Sequence, residues 1–196
     1  MAPSPVATPN LLTDPGYLFI APLASAVPTH TVEGGVFTDA WPAAWLPFGA
    51  TEEGTDFAYS SEIEAIEVAE FFDPIKYATT SRGGSIAFAL ASWTLSNFRR
   101  ALNGGVAALT PTSGTGATAL YNVSPPAPGQ ETRAMIGWES LDNTVRLVAY
   151  QTIQGGEISV GFKKAPEKAT IPCTFNFETP ASGKPFDIWG AGDSRA

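Results

Sequence analysis

The sequence predicts a mainly β protein: an antiparallel β-sandwich or partly closed barrel with one short flanking α-helix at about 94–103. Three observations lead there. Short segments of alternating apolar and polar residues recur along the chain, separated by Gly, Pro and Asn-Asp turn signals. The 196 residues include 19 Gly and 17 Pro but only 15% charged side chains, a loop-rich composition. Only one stretch, Trp93 to Leu102, carries apolar groups at helical spacing.

In chain order, residues 1–196 read as a single domain, with an N-terminal arm over about 1–16 rich in Pro, Ala, Ser and Thr. Tyr17 to Ser25 is apolar and broken by Pro22, which suits an edge strand or a packed arm. Long loops are expected at about 26–50, 105–116 and 124–131. The first contains WPAAW, either folded over its own core or exposed as a contact surface. Phe57 and Tyr59 alternate with small polar residues as a strand, which continues into the acids Glu62, Glu64, Glu67 and Glu70. Apolar parity flips at Ala65–Ile66, which predicts a bulge there.

Asp73-Pro74 marks a turn. Ile75 to Thr80 is β-prone, Ser81 to Gly84 reads as a break, and Ser85 to Ala91 alternates again. Ser92 or Thr94 can cap the helix, and Trp93, Leu95, Phe98 and Leu102 form its packing stripe. Arg99 and Arg100 sit near its C-terminus, where the macrodipole favours cations, and Asn103-Gly104-Gly105 ends it. Ala117 to Val123 reads as a strand. Thr132–Trp138, Thr144–Thr152 and Glu157–Lys163 then read as an antiparallel meander, followed by Ile171–Glu178 and a last apolar segment, PFDIWG.

Charge is distributed unevenly. Residues 1–75 hold eleven acids and no Lys or Arg, a net of −11; the remainder holds eleven bases against eight acids, +3. An acidic face and a milder one suit head-to-tail self-association, and the overall charge of −8 disfavours tight binding to phosphate backbones. Apolar runs such as Ile86–Leu90 are far shorter than the roughly 20 residues a membrane helix needs, so no membrane insertion is expected. The start, MAPSPVATPN, has neither the basic nor the apolar region of a signal peptide.

Catalytic chemistry finds little support. His30 lies in a polar loop with no second His or Cys beside it, and Cys173 reads as a small buried hydrophobe in an alternating segment. There is no GxSxG elbow and no phosphate-binding GxxxxGK[ST] loop. The strand acids Glu62, Glu64, Glu67 and Glu70 are numerous enough for a glycosidase-like pair, but acids spaced along a strand fit a solvated surface better. Glu52, Glu53 and Asp56 do not match a calcium-loop spacing. No catalytic residue, cofactor or metal is therefore expected.

Residues 45–105 carry, in order, WLPFGATEEGTDFAY, an acidic IEVAE strand, Asp-Pro, a Thr-Thr-x-Arg segment, an apolar IAFALA strand and a helix ending Ala-Leu-Asn-Gly-Gly. This succession resembles the major tail proteins, or tail tube proteins, of long-tailed bacteriophages infecting actinobacteria. The resemblance implies a structural, non-enzymatic subunit of the virion tail, made in the host cytoplasm. Such subunits form rings, usually hexamers, that stack head to tail into a hollow tube and meet other tail proteins.

It also implies that Glu62, Glu64, Glu67 and Glu70 are lumen-lining candidates, past which DNA moves transiently and without sequence preference. Glu52, Glu53, Asp56 and Arg82 become candidates for contacts between rings, with the N-terminal arm. Two alternatives stand beside it. One is a related phage ring protein (a tail terminator, baseplate hub or connector). The other is a monomeric carbohydrate-binding or adhesin sandwich stacking sugar on Trp41, Trp45 and Trp138.

Overall fold

The computed structural model describes residues 15–192, apart from 68, 70, 71, 163, 165, 166 and 182. In chain order it contains β1 (Tyr17–Pro22), β2 (Val32–Glu33), β3 (Val36–Phe37), β4 (Leu46–Pro47), β5 (Thr51–Ile66) and β6 (Lys76–Leu90). The single α-helix among the described residues, α1 (Leu95–Ala101), follows, then β7 (Ala134–Glu139), β8 (Val145–Gln154), β9 (Ile171–Phe177) and β10 (Phe186–Gly190). The protein is mainly β, with 43% strand and 6% helix.

The main sheet is antiparallel throughout, in the order β4-β1-β7-β8-β9-β6-β5, with β10 also pairing β8. Strand β8 is where the sheet turns back on itself. Its first half, Val145–Ala149, pairs with β10, and its last residues, Thr152–Gln154, pair with β9. Opposite β7 the register slips between Ala134 and Ile136, so β8 carries an extra residue at 150–151. Such a bulge bends a strand, which lets one strand serve two layers. The result is a β-sandwich flanked by α1, and it is not a closed barrel.

The pleat sorts the core. Leu18, Ile20, Ala134, Ile136, Leu147 and Ala149 point inward from one layer and meet Ile86, Phe88, Leu90, Ile171, Cys173 and Phe175 from the other. Residues of opposite parity face outward. Ala21, Met135 and Val148, with Phe19 and Tyr150, form a second apolar cluster covered by Trp41 and Trp45. The 26–50 loop is thus folded over its own core. Gly137 makes this possible, since a Cβ there would lie 2.4 Å from the Trp41 ring.

The helix is capped by the Thr94 hydroxyl, which accepts from the Asn97 N–H at 3.1 Å. Asn97 is buried and donates to the Phe48 carbonyl at 2.8 Å, fastening α1 to the sandwich. Asn103, at φ +57, ends the helix in the left-handed conformation.

Several expectations are corrected. Tyr17–Pro22 is not an edge strand, since β4 covers its outer side. Ser81–Gly84 does not break the chain: β6 runs straight through, because Gly84 leaves room for the Phe177 ring, which a Cβ would approach to 2.6 Å. Residues 117–123 form no strand. The Gly114–Gly116 turn closes locally, and only Ser113 and Leu120 bridge. Residues 157–162 are irregular as well, because β9 and β10 already occupy that edge of β8. Ile158 and Val160 pack on the core without joining the sheet.

The stripe proposed for α1 also needs correction. Trp93 precedes the cap, and both Trp93 and Leu95 are exposed, whereas the helix buries Asn97 and Ala101. Phe98 packs partly against the core, and Leu102 is half-buried at the C-cap.

Candidate assembly surface

Beyond Ser85, β6 loses its pairing with β9, and residues 51–90 continue as a two-stranded ribbon. From Gly84 to Lys76 the ribbon extends about 25 Å at ~3.3 Å per residue. It closes where the Ile75 N–H donates to the Ile66 carbonyl at 3.0 Å. The outer edge of β5 is unpaired along its sixteen residues among the described residues. A register slip does occur in the ribbon, but between Glu62 and Ile63, with Thr80 of β6 as the extra residue. The parity flip at Ala65–Ile66 is accommodated differently. Ile66 simply points to the acidic face and is left 43% exposed.

Pleating gives the ribbon two unlike faces. One continues the core face and carries Phe57/Ile86, Tyr59/Gly84, Ser61/Arg82, Ile63/Thr79 and Ala65/Tyr77 as cross-strand pairs. At its base Phe57 and Tyr59 pack edge-on against Phe186, while Ile63 and Tyr77 farther out are 61% and 64% exposed. The other face carries Asp56/Ala87, Ala58/Ser85, Ser60/Gly83, Glu62/Ser81 and Glu64/Ala78. Glu62 accepts a 2.6 Å bond from the Ser81 hydroxyl.

The predicted residues therefore separate. Glu62, Glu64 and Asp56 share the acidic face; Glu67 lies exposed just past β5, and Glu70 is outside the described residues. Glu52 and Glu53 sit in a wide bulge where Glu52–Gly54 oppose Ala89 alone, and Glu52 pairs with Lys168 at 2.9 Å. Arg82 is on the apolar face, at a cleft of about 420 Å³ that Tyr59, Gly84, Phe177 and Phe186 also line. It has no carboxylate partner among the described residues. The apolar face itself was not foreseen, although the alternation of Phe57, Tyr59 and Ile63 within an acidic segment is its signal.

A second polar constellation lies on the outer face of the sandwich. Arg146 is only 2% exposed. It donates to Glu139 Oε1 at 2.7 Å, Asp39 Oδ1 at 2.8 Å and the Asp39 carbonyl at 2.6 Å, and lies over the Phe37 ring at 4.6 Å. Trp41 Nε1 donates to the other Glu139 oxygen at 2.6 Å. Burial pushes the Asp39 carboxyl up, but the bond and charge of Arg146 outweigh it and hold the group below its ordinary range.

His30, at φ +56, stacks on Trp189 at 3.9 Å and donates its backbone N–H to Asp39 at 3.1 Å. Both its ring nitrogens are buried without a hydrogen-bond partner, and burial, then Arg146, lowers its pKa. These groups clamp the 26–45 segment onto β7 and β8. The sequence signal for the clamp is one arginine inside the apolar strand TVRLVAY.

Trp45 is buried, with Nε1 donating to the Ala26 carbonyl at 2.7 Å, and Trp41 is stacked on Phe19, so the two do not form an exposed aromatic platform. Among the described residues no group of three or more His, Cys, Asp or Glu is placed to hold a metal, and no helix is long and apolar enough to cross a membrane. Comparison with protein-family models and with curated proteins returns no match.

Proposed function

We propose that this chain is a structural subunit of a phage tail tube, assembling into rings that stack into a hollow conduit for DNA. One observation carries the reading: a long ribbon, open along its β5 edge, with an acidic face and an apolar face. A two-stranded ribbon is marginal in water by itself. Side-by-side pairing in a ring would cover its edge and its exposed Ile63 and Tyr77. The acidic face would then point to the centre, where Glu62 and Glu64 repel phosphate and let duplex DNA pass without sticking. The subunit would reside in the virion tail after synthesis in the host cytoplasm.

Electron microscopy of the purified chain tests this. Stacked rings or tubes are expected; a strict monomer at high concentration refutes it, and rings that never stack point to a terminator or connector role. Replacing Glu62 and Glu64 with Lys should leave rings intact while slowing DNA passage and creating salt-sensitive DNA retention. Loss of assembly in that variant would place the acids at an interface instead of the lumen.

A further inference from the structure

We infer that the cleft at the base of the ribbon receives the tip of the ribbon from a second copy of this chain, a contact that rests on the assembly reading above. The cleft, of about 420 Å³, falls within the range of pockets that bury a ligand, ~300–1,000 Å³. Its walls are aromatic, from Tyr59, Phe177 and Phe186, with the Phe177 ring packed directly onto Gly84, where a Cβ would meet it at 2.6 Å. Arg82 stands at its side as a cation without a carboxylate partner among the described residues. The cleft therefore selects an apolar ring followed by an acid.

The chain supplies that pair at the ribbon tip. Phe72 is fully exposed, and Asp73 beside it is an exposed acid with no ion pair among the described residues. Within one chain the two sites cannot meet. Lys76 and Arg82 are six residues apart along an extended strand, roughly 20 Å at ~3.3 Å per residue, and the tip lies beyond Lys76. The occupant is therefore another copy. Tip-to-base contact joins two different surfaces, so it is heterologous and propagates head to tail. Phe72 is the buried anchor, with Asp73 against Arg82 fixing register.

Sedimentation velocity and microscopy of four variants test it: Phe72→Ala, Asp73→Lys, Arg82→Glu, and Asp73→Lys with Arg82→Glu combined. All three positions are exposed, and circular dichroism checks that each variant folds. Each single change should weaken self-association by about tenfold or more, and the double charge swap should restore it. Association unaffected by the single changes overturns the contact. So does a double variant no better than its parents. If the unmodified chain does not associate at any concentration, both this contact and the tube reading fail, whereas association indifferent to these variants removes the contact alone.

Discussion

Arg146→Met removes the one cation that neutralises two carboxylates inside the clamp. The methionine preserves the apolar stem and leaves Glu139, 7% exposed, as a buried charge without its partner. Removing one member of such a pair costs about 3–5 kcal/mol. Asp39 is less enclosed, at 15%, and water can partly take over its carboxylate. The bond to the Asp39 carbonyl is lost too, worth about 1 kcal/mol. A loss of about 4–6 kcal/mol follows, or about 8–24 °C in Tm for a chain of this size.

Urea unfolding followed by tryptophan fluorescence measures the loss, since Trp41, Trp45 and Trp189 all line the clamped region. Adding Glu139→Gln keeps an acceptor for Trp41 Nε1 and removes the stranded charge, so the double variant should recover at least half of the loss. A cost below about 1 kcal/mol for the single variant, or a double variant no more stable than the single, would refute the argument. The pH dependence has a definite sign. Asp39 is held below its ordinary value of 3.8, so its contribution is present above that value and lost as pH falls through the folded pKa. Arg146→Met should shrink that segment of the acid profile, leaving only what the backbone N–H groups of His30 and Asp39 hold in place.

Three further outcomes are expected. Burial, then Arg146, lowers the pKa of His30 from 6.5 against the opposing pull of Asp39, Glu139 and Asp187, so the unfolded chain binds its proton first; stability should decline as pH drops below about 6.5, and His30→Phe should flatten that decline in denaturation series at stepped pH. Gly137→Ala places a methyl 2.4 Å from the Trp41 ring and should cost about 1–3 kcal/mol in the same urea assay. The Cys173 thiol is pushed up to about 12 by burial, so a thiol reagent at neutral pH should label it only at the rate of global unfolding; rapid labelling of the native chain would contradict its place in the core.

Much of the sandwich is legible in the sequence because period-two alternation reports a half-buried strand directly. The alternating runs around Phe57, Phe88, Ile136, Leu147 and Phe175 all lie in strands. What alternation cannot report is whether an edge is free. Residues 157–162 have strand-like composition, yet β9 and β10 already hold the edge they would need. Gly83-Gly84 reads as a break because glycine usually is one; here its missing side chain is the room that Phe177 fills. The acids of the ribbon are legible as a patch, and Asp56, Glu62 and Glu64 share one face because the extra residue at the register slip is Thr80 on β6, which leaves the alternation of β5 unbroken. The clamp joins Asp39 to Arg146 across 107 positions, a pairing that no local pattern announces.

The pairing of β1 with β7 sets an order of events during synthesis. Pro22 lies opposite Ala134 and Tyr17 opposite Glu139, so this strand has no neighbour on that side until more than 110 further residues have been made. At about 5–20 residues per second, that is a wait of roughly 6–25 s. The ribbon needs no such delay, because β5 and β6 adjoin in the chain and a hairpin closes in about 1–10 μs. On a ribosome, the ribbon edge proposed to pair subunits is therefore complete well before the sandwich that carries it, whereas the cleft at its base waits for Phe177 and Phe186. Neighbouring nascent chains would meet first through their ribbons, and the acidic charge on one ribbon face opposes that premature encounter.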